Sequence, residues 1–186
     1  MEADWEVEVG GEARVIEPEW PGFVDLRANP ERAELLEEMR QLPALGHVLV
    51  QLNARHSPVW TSKCDVWECA EFDPDELDIP REQALKGAAC YVDLLAGEEL
   101  NWESYTATAE WCRAICDKLR AVLVRSCRVD LVVRAAHLAA GRSGFAVTAY
   151  LTAAGPVATQ AAGALARGLA ALADAVVPFP ASAGAA

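Results

Sequence analysis

Charged and aromatic side chains alternate with apolar ones along several segments of this sequence. Lys63, Asp65 and Trp67 occupy every second position of one segment, and Arg128 and Asp130 do so in another. Successive side chains of a β-strand point to opposite faces of the sheet, so each set lies on one face. Such a face either binds a small molecule or is a solvated surface stabilised by cross-strand charge pairs. The residues predicted to line a ligand site on it are Asp65, Trp67, Asp93, Arg128, Asp130 and Tyr150.

Tryptophan is frequent in the chain, which has six, against four phenylalanines and three tyrosines. In Trp67-Glu68 and Trp102-Glu103 an indole ring adjoins a carboxylate. An aromatic ring beside a negative charge attracts organic cations by cation–π and Coulomb interactions. Indole rings also serve as ordinary core and rim packing. These pairs therefore indicate either a cation site or simple packing.

The chain has six cysteines, at positions 64, 69, 90, 112, 116 and 127. Their spacings are wider than the Cys-x2-Cys pairs of structural zinc sites. Cys112 and Cys116 are four residues apart, which places them on one face of a helix with the apolar Ile115 and Leu119. We therefore predict buried thiols, with neither a metal site nor a disulfide framework.

Motifs of the common enzyme classes do not occur in the sequence: it has no GxSxG, no P-loop and no GxGxxG after a strand. The histidines at 47, 56 and 137 do not have HExxH spacing. No cofactor is predicted. An enzyme would depend on carboxylates such as Asp65, Asp93 and Asp130 for acid–base work. Nothing in the sequence selects a substrate, so a non-catalytic role is favoured.

The formal net charge is -12, and the charge is unevenly distributed. Residues 1–110 carry 25 acidic and 8 basic residues, whereas residues 111–186 carry 3 and 8. This acidity argues against nucleic acid and anionic membranes as partners. The acidity is compatible with a small cationic or aromatic ligand, with a basic protein partner or with self-association. Alternatively, the acidic residues only keep the surface solvated. With no apolar run of about 20 residues and an acidic start, we predict a cytoplasmic protein.

Hydrophobic periodicity predicts an α+β fold with an antiparallel sheet and helices mainly on one face. Strands are predicted at 23–27, 47–53, 59–69, 90–94, 127–137 and 145–152, and helices at about 30–42, 103–123 and 156–177. The order strand, helix, strand, strand occurs twice, which predicts internal duplication of a βαββ unit. The predicted divisions are an N-terminal arm or edge strand (1–21), one domain (22–177) and a disordered tail (178–186). Within the domain they are repeat 1 (22–70), an acidic connector (71–88), repeat 2 (89–155) and a C-terminal helix (156–177).

The two predicted repeats begin alike, since Phe23-Val24-Asp25-Leu26 corresponds to Tyr91-Val92-Asp93-Leu94. Over residues 22–155 the order of elements resembles the tandem small-molecule-binding modules of the GyrI-like group. The resemblance implies a groove between the repeats that takes up apolar or cationic compounds, often against a buried Glu. It assigns a role to no residue of this chain. The leading hypothesis is a small-molecule-binding module, and the alternatives are an acidic interaction or homodimerising protein and an enzyme using sheet-face carboxylates.

Overall fold

The computed structural model describes residues 1–10, 14–15, 22–137 and 142–177, and the statements below refer to these. It has the predicted α+β fold, with six strands and four α-helices in the described residues. The strands are β1 (Glu2–Val7), β2 (Arg14–Val15), β3 (Val59–Cys69), β4 (Lys86–Ala96), β5 (Cys127–His137) and β6 (Ser143–Gly155). The helices are α1 (Glu38–Gln41), α2 (Pro43–Leu52), α3 (Tyr105–Arg120) and α4 (Ala158–Val176). Short 3-10 turns lie at Pro30–Leu35, Asp75–Leu77 and Arg81–Gln83.

The strands form one sheet in the order β1-β5-β6-β4-β3, and β2 also pairs with β5. The β5–β6, β6–β4 and β4–β3 pairs are antiparallel, as predicted. The β1 and β2 strands instead run parallel to β5, so the prediction of an antiparallel sheet is wrong at this edge. Parallel strands need a long connection, which the chain between β1 and β5 supplies.

The core lies between one face of the sheet and the helices. Val129, Leu131 and Val133 alternate along β5 toward this core, and each is 0% exposed. Helix α4 packs on the central strands β6 and β4, with α2 beside it, and α3 packs against β1. The buried residues of α3 follow the helical repeat, so that a single stripe faces the sheet. They include Cys112, Ile115, Cys116 and Leu119.

Helix α4 approaches the sheet closely because Gly168 has no side chain. A Cβ atom at this position would lie 2.4 Å from Cys127 Sγ and 3.4 Å from Leu151 Cδ2. Distances near 2.4 Å are far inside van der Waals contact, so only glycine fits without movement of the helix or the thiol.

The predicted strand at His47–Asn53 is wrong, because residues 43–52 form helix α2. Pro43 is the first residue of this helix, where a missing N–H costs nothing, instead of the predicted stop. Val48, Leu49 and Leu52 face the core at helical spacing. Residues 23–27 form no strand either. Between residues 22 and 70 the only described strand is β3, so the predicted duplication of a βαββ unit is wrong.

The predicted helix over 30–42 is divided into a 3-10 turn and the short α1, because Leu36 adopts extended backbone between them. The acidic connector contains two 3-10 turns. Its Leu77 and Ile79 pack on Ala154 of β6. The predicted tail at 178–186 and much of the predicted arm lie outside the described residues. No helix in the described part of the chain has the length and apolar composition needed to cross a membrane.

Candidate functional site

The sheet face opposite the helices carries all six residues predicted to line a site, and we call it the open face. Strand alternation and register place them there together, in three neighbouring rows across the sheet. From the connector end, the rows contain Trp67 and Arg128, then Asp65, Tyr91, Tyr150 and Asp130, and then Asp93 and Thr148.

Three aromatic side chains, which we call the aromatic row, cross the middle of the open face on adjacent strands. The ring centroids of Trp67 and Tyr91 are 6.3 Å apart, and those of Tyr91 and Tyr150 are 5.9 Å apart. Both pairs are tilted, as aromatic contacts prefer. Trp67 is 38% exposed, so this end of the row faces solvent. Tyr91 is not one of the six predicted residues, although it shares the strand parity of Asp93.

Asp93 belongs to a buried hydrogen-bond network beside the aromatic row. Asp93 is 3% exposed, and its Oδ1 accepts a hydrogen bond from the hydroxyl of Thr148 at 2.5 Å. Arg134 Nη1 donates to Thr148 Oγ1 at 3.0 Å and to the Tyr150 hydroxyl at 3.1 Å. Arg134 also forms an ion pair with Glu8. Burial opposes the charge on Arg134, but hydrogen bonds to Tyr150 and Glu8 outweigh it and raise its pKa. Asp93 is therefore held in place within the sheet and does not project into solvent.

Arg128 and Asp130 form a fixed pair on β5. Arg128 Nε donates to both carboxylate oxygens of Asp130, at 2.8 and 2.9 Å. This hydrogen bond raises the pKa of Arg128 despite partial burial. Glu76 of the connector lies 3.6 Å from the same guanidinium. These groups line a cleft of about 270 Å³ together with the edge strand β1, which contributes Asp4 and Glu6.

Asp65 lies in the row of the tyrosines, but its carboxylate turns toward the strand edge. Its Oδ1 accepts a hydrogen bond from the backbone N–H of Val66 at 2.7 Å. Asp4 does the same for Trp5 N–H, at 2.8 Å, on the opposite edge strand β1. Each carboxylate thus satisfies a backbone donor that has no neighbouring strand on that side.

The two Trp-Glu pairs singled out in the sequence have different positions. Trp102 is 2% exposed and packs edge-on against Trp111, with ring centroids 5.0 Å apart. Trp102 is therefore a core residue. Of the two tryptophans in these pairs, Trp67 lies on the open face. Trp60 lies at the far end of the same face, where the Arg27 guanidinium stacks 4.0 Å from the centre of its ring.

The prediction of buried thiols is confirmed for four of the six cysteines, Cys90, Cys112, Cys116 and Cys127, whereas Cys64 and Cys69 are only partly buried. Burial raises the pKa of Cys112 and of Cys127 to about 12. In the described part of the chain, no three His, Cys, Asp or Glu side chains converge as metal ligands would.

No family model, curated protein or solved structure matches this chain. The resemblance to the GyrI-like group therefore stays a prediction.

Proposed function

We propose that this protein binds a small organic cation with an aromatic or compact apolar body, without changing it chemically. The observation that carries the proposal is the aromatic row, with Asp65 and Asp130 at its two ends. The rings offer apolar surface and π-faces, and the Asp65 carboxylate, on the same strand as Trp67, supplies the opposite charge.

The aromatic row already accommodates one cation of the protein itself. The Arg134 guanidinium lies 5.4 Å from the centre of the Tyr150 ring while it also bonds to Thr148 and Glu8. A ligand cation would use the same interaction at the solvent-facing Trp67 end. Such a contact stabilises a complex by about 0.5–1 kcal/mol when exposed and about 2 kcal/mol when desolvated.

The polar part of the open face is short, which favours a small ligand over a large protein partner. At one end Phe72 and the connector lie close to Gly87 of β4 and Ala154 of β6. At the other end Leu95 and Ala146 are buried with Trp60 packed against them. The rows between these ends carry the aromatic and acidic groups.

The test compares phenyltrimethylammonium with its uncharged isostere tert-butylbenzene, by isothermal titration calorimetry and tryptophan fluorescence. We expect the cation to bind about 5- to 30-fold more tightly, because a cation–π contact and a nearby carboxylate together contribute about 1–2 kcal/mol. Trp67→Leu and Asp65→Asn are each expected to weaken cation binding at least about fivefold, because both residues lie on the same face of β3.

The matched control is Glu110→Gln, which removes an exposed carboxylate from α3, on the other side of the molecule. It should leave the affinity unchanged. Equal affinity for the cation and the isostere would refute the proposal. So would wild-type affinity in Trp67→Leu and Asp65→Asn variants that keep their thermal stability.

A further inference from the structure

Tyr150, at the β5 side of the aromatic row, is held by Arg134 through two interactions. Arg134 Nη1 donates a hydrogen bond to the Tyr150 hydroxyl at 3.1 Å, and the guanidinium carbon lies 5.4 Å from the centre of the ring. The hydrogen bond fixes the outer end of the side chain, and the cation favours one position of the ring face. Because the Tyr150 ring contacts Tyr91, its position affects the middle of the row.

Arg134 is itself held from two sides. Its Nη1 also donates to Thr148 Oγ1 at 3.0 Å, and Thr148 in turn donates to the buried Asp93. On the other side its Nε donates to a carboxylate oxygen of Glu8. The guanidinium is planar and its donors form a rigid fork, so the partner at Nε determines where Nη1 points. The Glu8 carboxylate therefore helps to direct the hydrogen bond that reaches Tyr150.

Glu8 is placed beside Arg134 by the pairing of the edge strand β1. It directly follows β1, and its backbone N–H donates to Val133 O at 3.0 Å, one residue before Arg134. An edge strand has a partner on one side only, so it opens at a lower free-energy cost than the central strands. The contact that orients Arg134 thus comes from one of the more easily opened parts of the sheet.

We propose that Glu8 and Arg134 are positioning residues for the aromatic row, and that the affinity of the row for its cation depends on the pairing of β1. This inference rests on the proposed function. When β1 is paired, Glu8 holds Arg134 against Tyr150, and Tyr150 supports Tyr91. When β1 opens, the Arg134 guanidinium loses its carboxylate partner, and its positive charge then opposes a ligand cation. Ligand binding and β1 pairing therefore reinforce each other.

The test measures the affinity of the full chain for phenyltrimethylammonium in Glu8→Gln and Arg134→Lys by isothermal titration calorimetry. Each substitution is expected to weaken binding about 3- to 10-fold. Arg134→Lys keeps the positive charge and loses the planar fork, so a change of net charge does not explain its effect. The matched control is Glu2→Gln, which removes the same charge from the same face of β1. It should keep the affinity within about twofold.

The tyrosine ring resonances test the positioning role without any ligand. In Glu8→Gln we expect the NMR signals of Tyr150 and Tyr91 to shift, whereas those of Tyr105 on α3 stay unchanged. Saturating phenyltrimethylammonium should also slow hydrogen exchange of the Glu8 amide in the wild type.

Unchanged Tyr150 signals in folded Glu8→Gln would overturn the proposal, and so would an equal loss of affinity in Glu2→Gln. If the wild type does not bind the cation, the proposed function fails and the effect on affinity fails with it. The Tyr150 signals would still decide whether Glu8 positions the row.

Discussion

Asn53 shows how a single side chain determines the local structure at the start of edge strand β3. It follows helix α2 and is 5% exposed. Its Oδ1 accepts a hydrogen bond from Thr61 N–H at 3.0 Å, and its Nδ2 donates to Thr61 Oγ1 at 2.6 Å and to Leu49 O at 2.8 Å. One amide therefore joins the end of a helix to the start of an edge strand, through one buried and two partly buried hydrogen bonds.

The Asn53→Ala substitution is expected to lower the free energy of unfolding by about 1–3 kcal/mol, because it leaves the partly buried N–H of Thr61 without its partner. Urea denaturation measures this. The exposed Asn101→Ala serves as the control and should change stability by less than about 0.5 kcal/mol. A loss below about 1 kcal/mol for Asn53→Ala would mean that water replaces the amide.

The residues of the open face were predictable because the side-chain period of a strand is two. Arg128 and Asp130 could be assigned to one face from their spacing alone. The orientation of each carboxylate was not predictable. Asp65 has the same parity as Asp130, yet it bonds to the backbone because β3 is an edge strand. Edge position depends on pairing between distant segments, which alternation does not encode.

At the scale of elements, helix α4 contains two glycines of different character, and only one of them is required for its packing on the sheet. Gly168 lies against Cys127, where an added Cβ would clash. At Gly163 of the same helix, an added Cβ would meet only the Arg167 guanidinium, at the ordinary distance of 3.6 Å. The first glycine is therefore required by packing, whereas the second only weakens the helix.

Gly168→Ala is expected to destabilise the fold by about 1–3 kcal/mol through overpacking, as measured by urea denaturation. Gly163→Ala is the matched control and should stabilise it by about 0.5–1 kcal/mol. Cys127→Ala removes the clashing sulfur, so the double variant with Gly168→Ala should be more stable than the sum of the single effects indicates. If the effects of the two single substitutions simply add, the clash with the Cys127 sulfur is not the cause, and the helix shifts to accommodate the new methyl group.

Sequence periodicity predicted some elements of the fold correctly and one helix incorrectly. The strands at 59–69 and 127–137 were predicted at the bounds the structure has, because charged residues alternate with apolar ones there. In α2 the consecutive apolar residues Val48, Leu49 and Val50 are also typical of a strand. This run masked the helical spacing of Leu45, Val48, Leu49 and Leu52. Reading Pro43 as a first helical residue would have revealed the helix.

At the scale of the whole molecule, thiols are distributed through the core. Cys112 and Cys116 face the sheet from α3, and Cys127 lies under α4. Burial raises the pKa of Cys116 to about 11, in addition to the shifts at Cys112 and Cys127. Folding therefore favours the protonated thiols, and this contribution is fully present only below the pKa of the unfolded chain.

Stability should accordingly fall as the pH rises above about 9, where thiols of the unfolded chain ionise, toward the folded pKa near 11–12. The loss is on the order of 2 kcal/mol per buried thiol by pH 10.5. Urea unfolding between pH 8.5 and 10.5 measures it. Cys127→Ala should show a shallower decline than the wild type. Val129→Ala, an equally buried truncation without an ionisable group, should lower stability at every pH and keep the slope.

The parallel pairing of β1 with β5 has a consequence for how the chain folds. Glu2 is the partner of Arg128, so this contact spans most of the sequence, whereas β5 and β6 are neighbours along the chain. Long-range pairings have a high entropic cost and form slowly. During synthesis the first strand has no partner until β5 has been made. We therefore expect the β5–β6 hairpin to form early, and β1 to complete the sheet as one of its last steps.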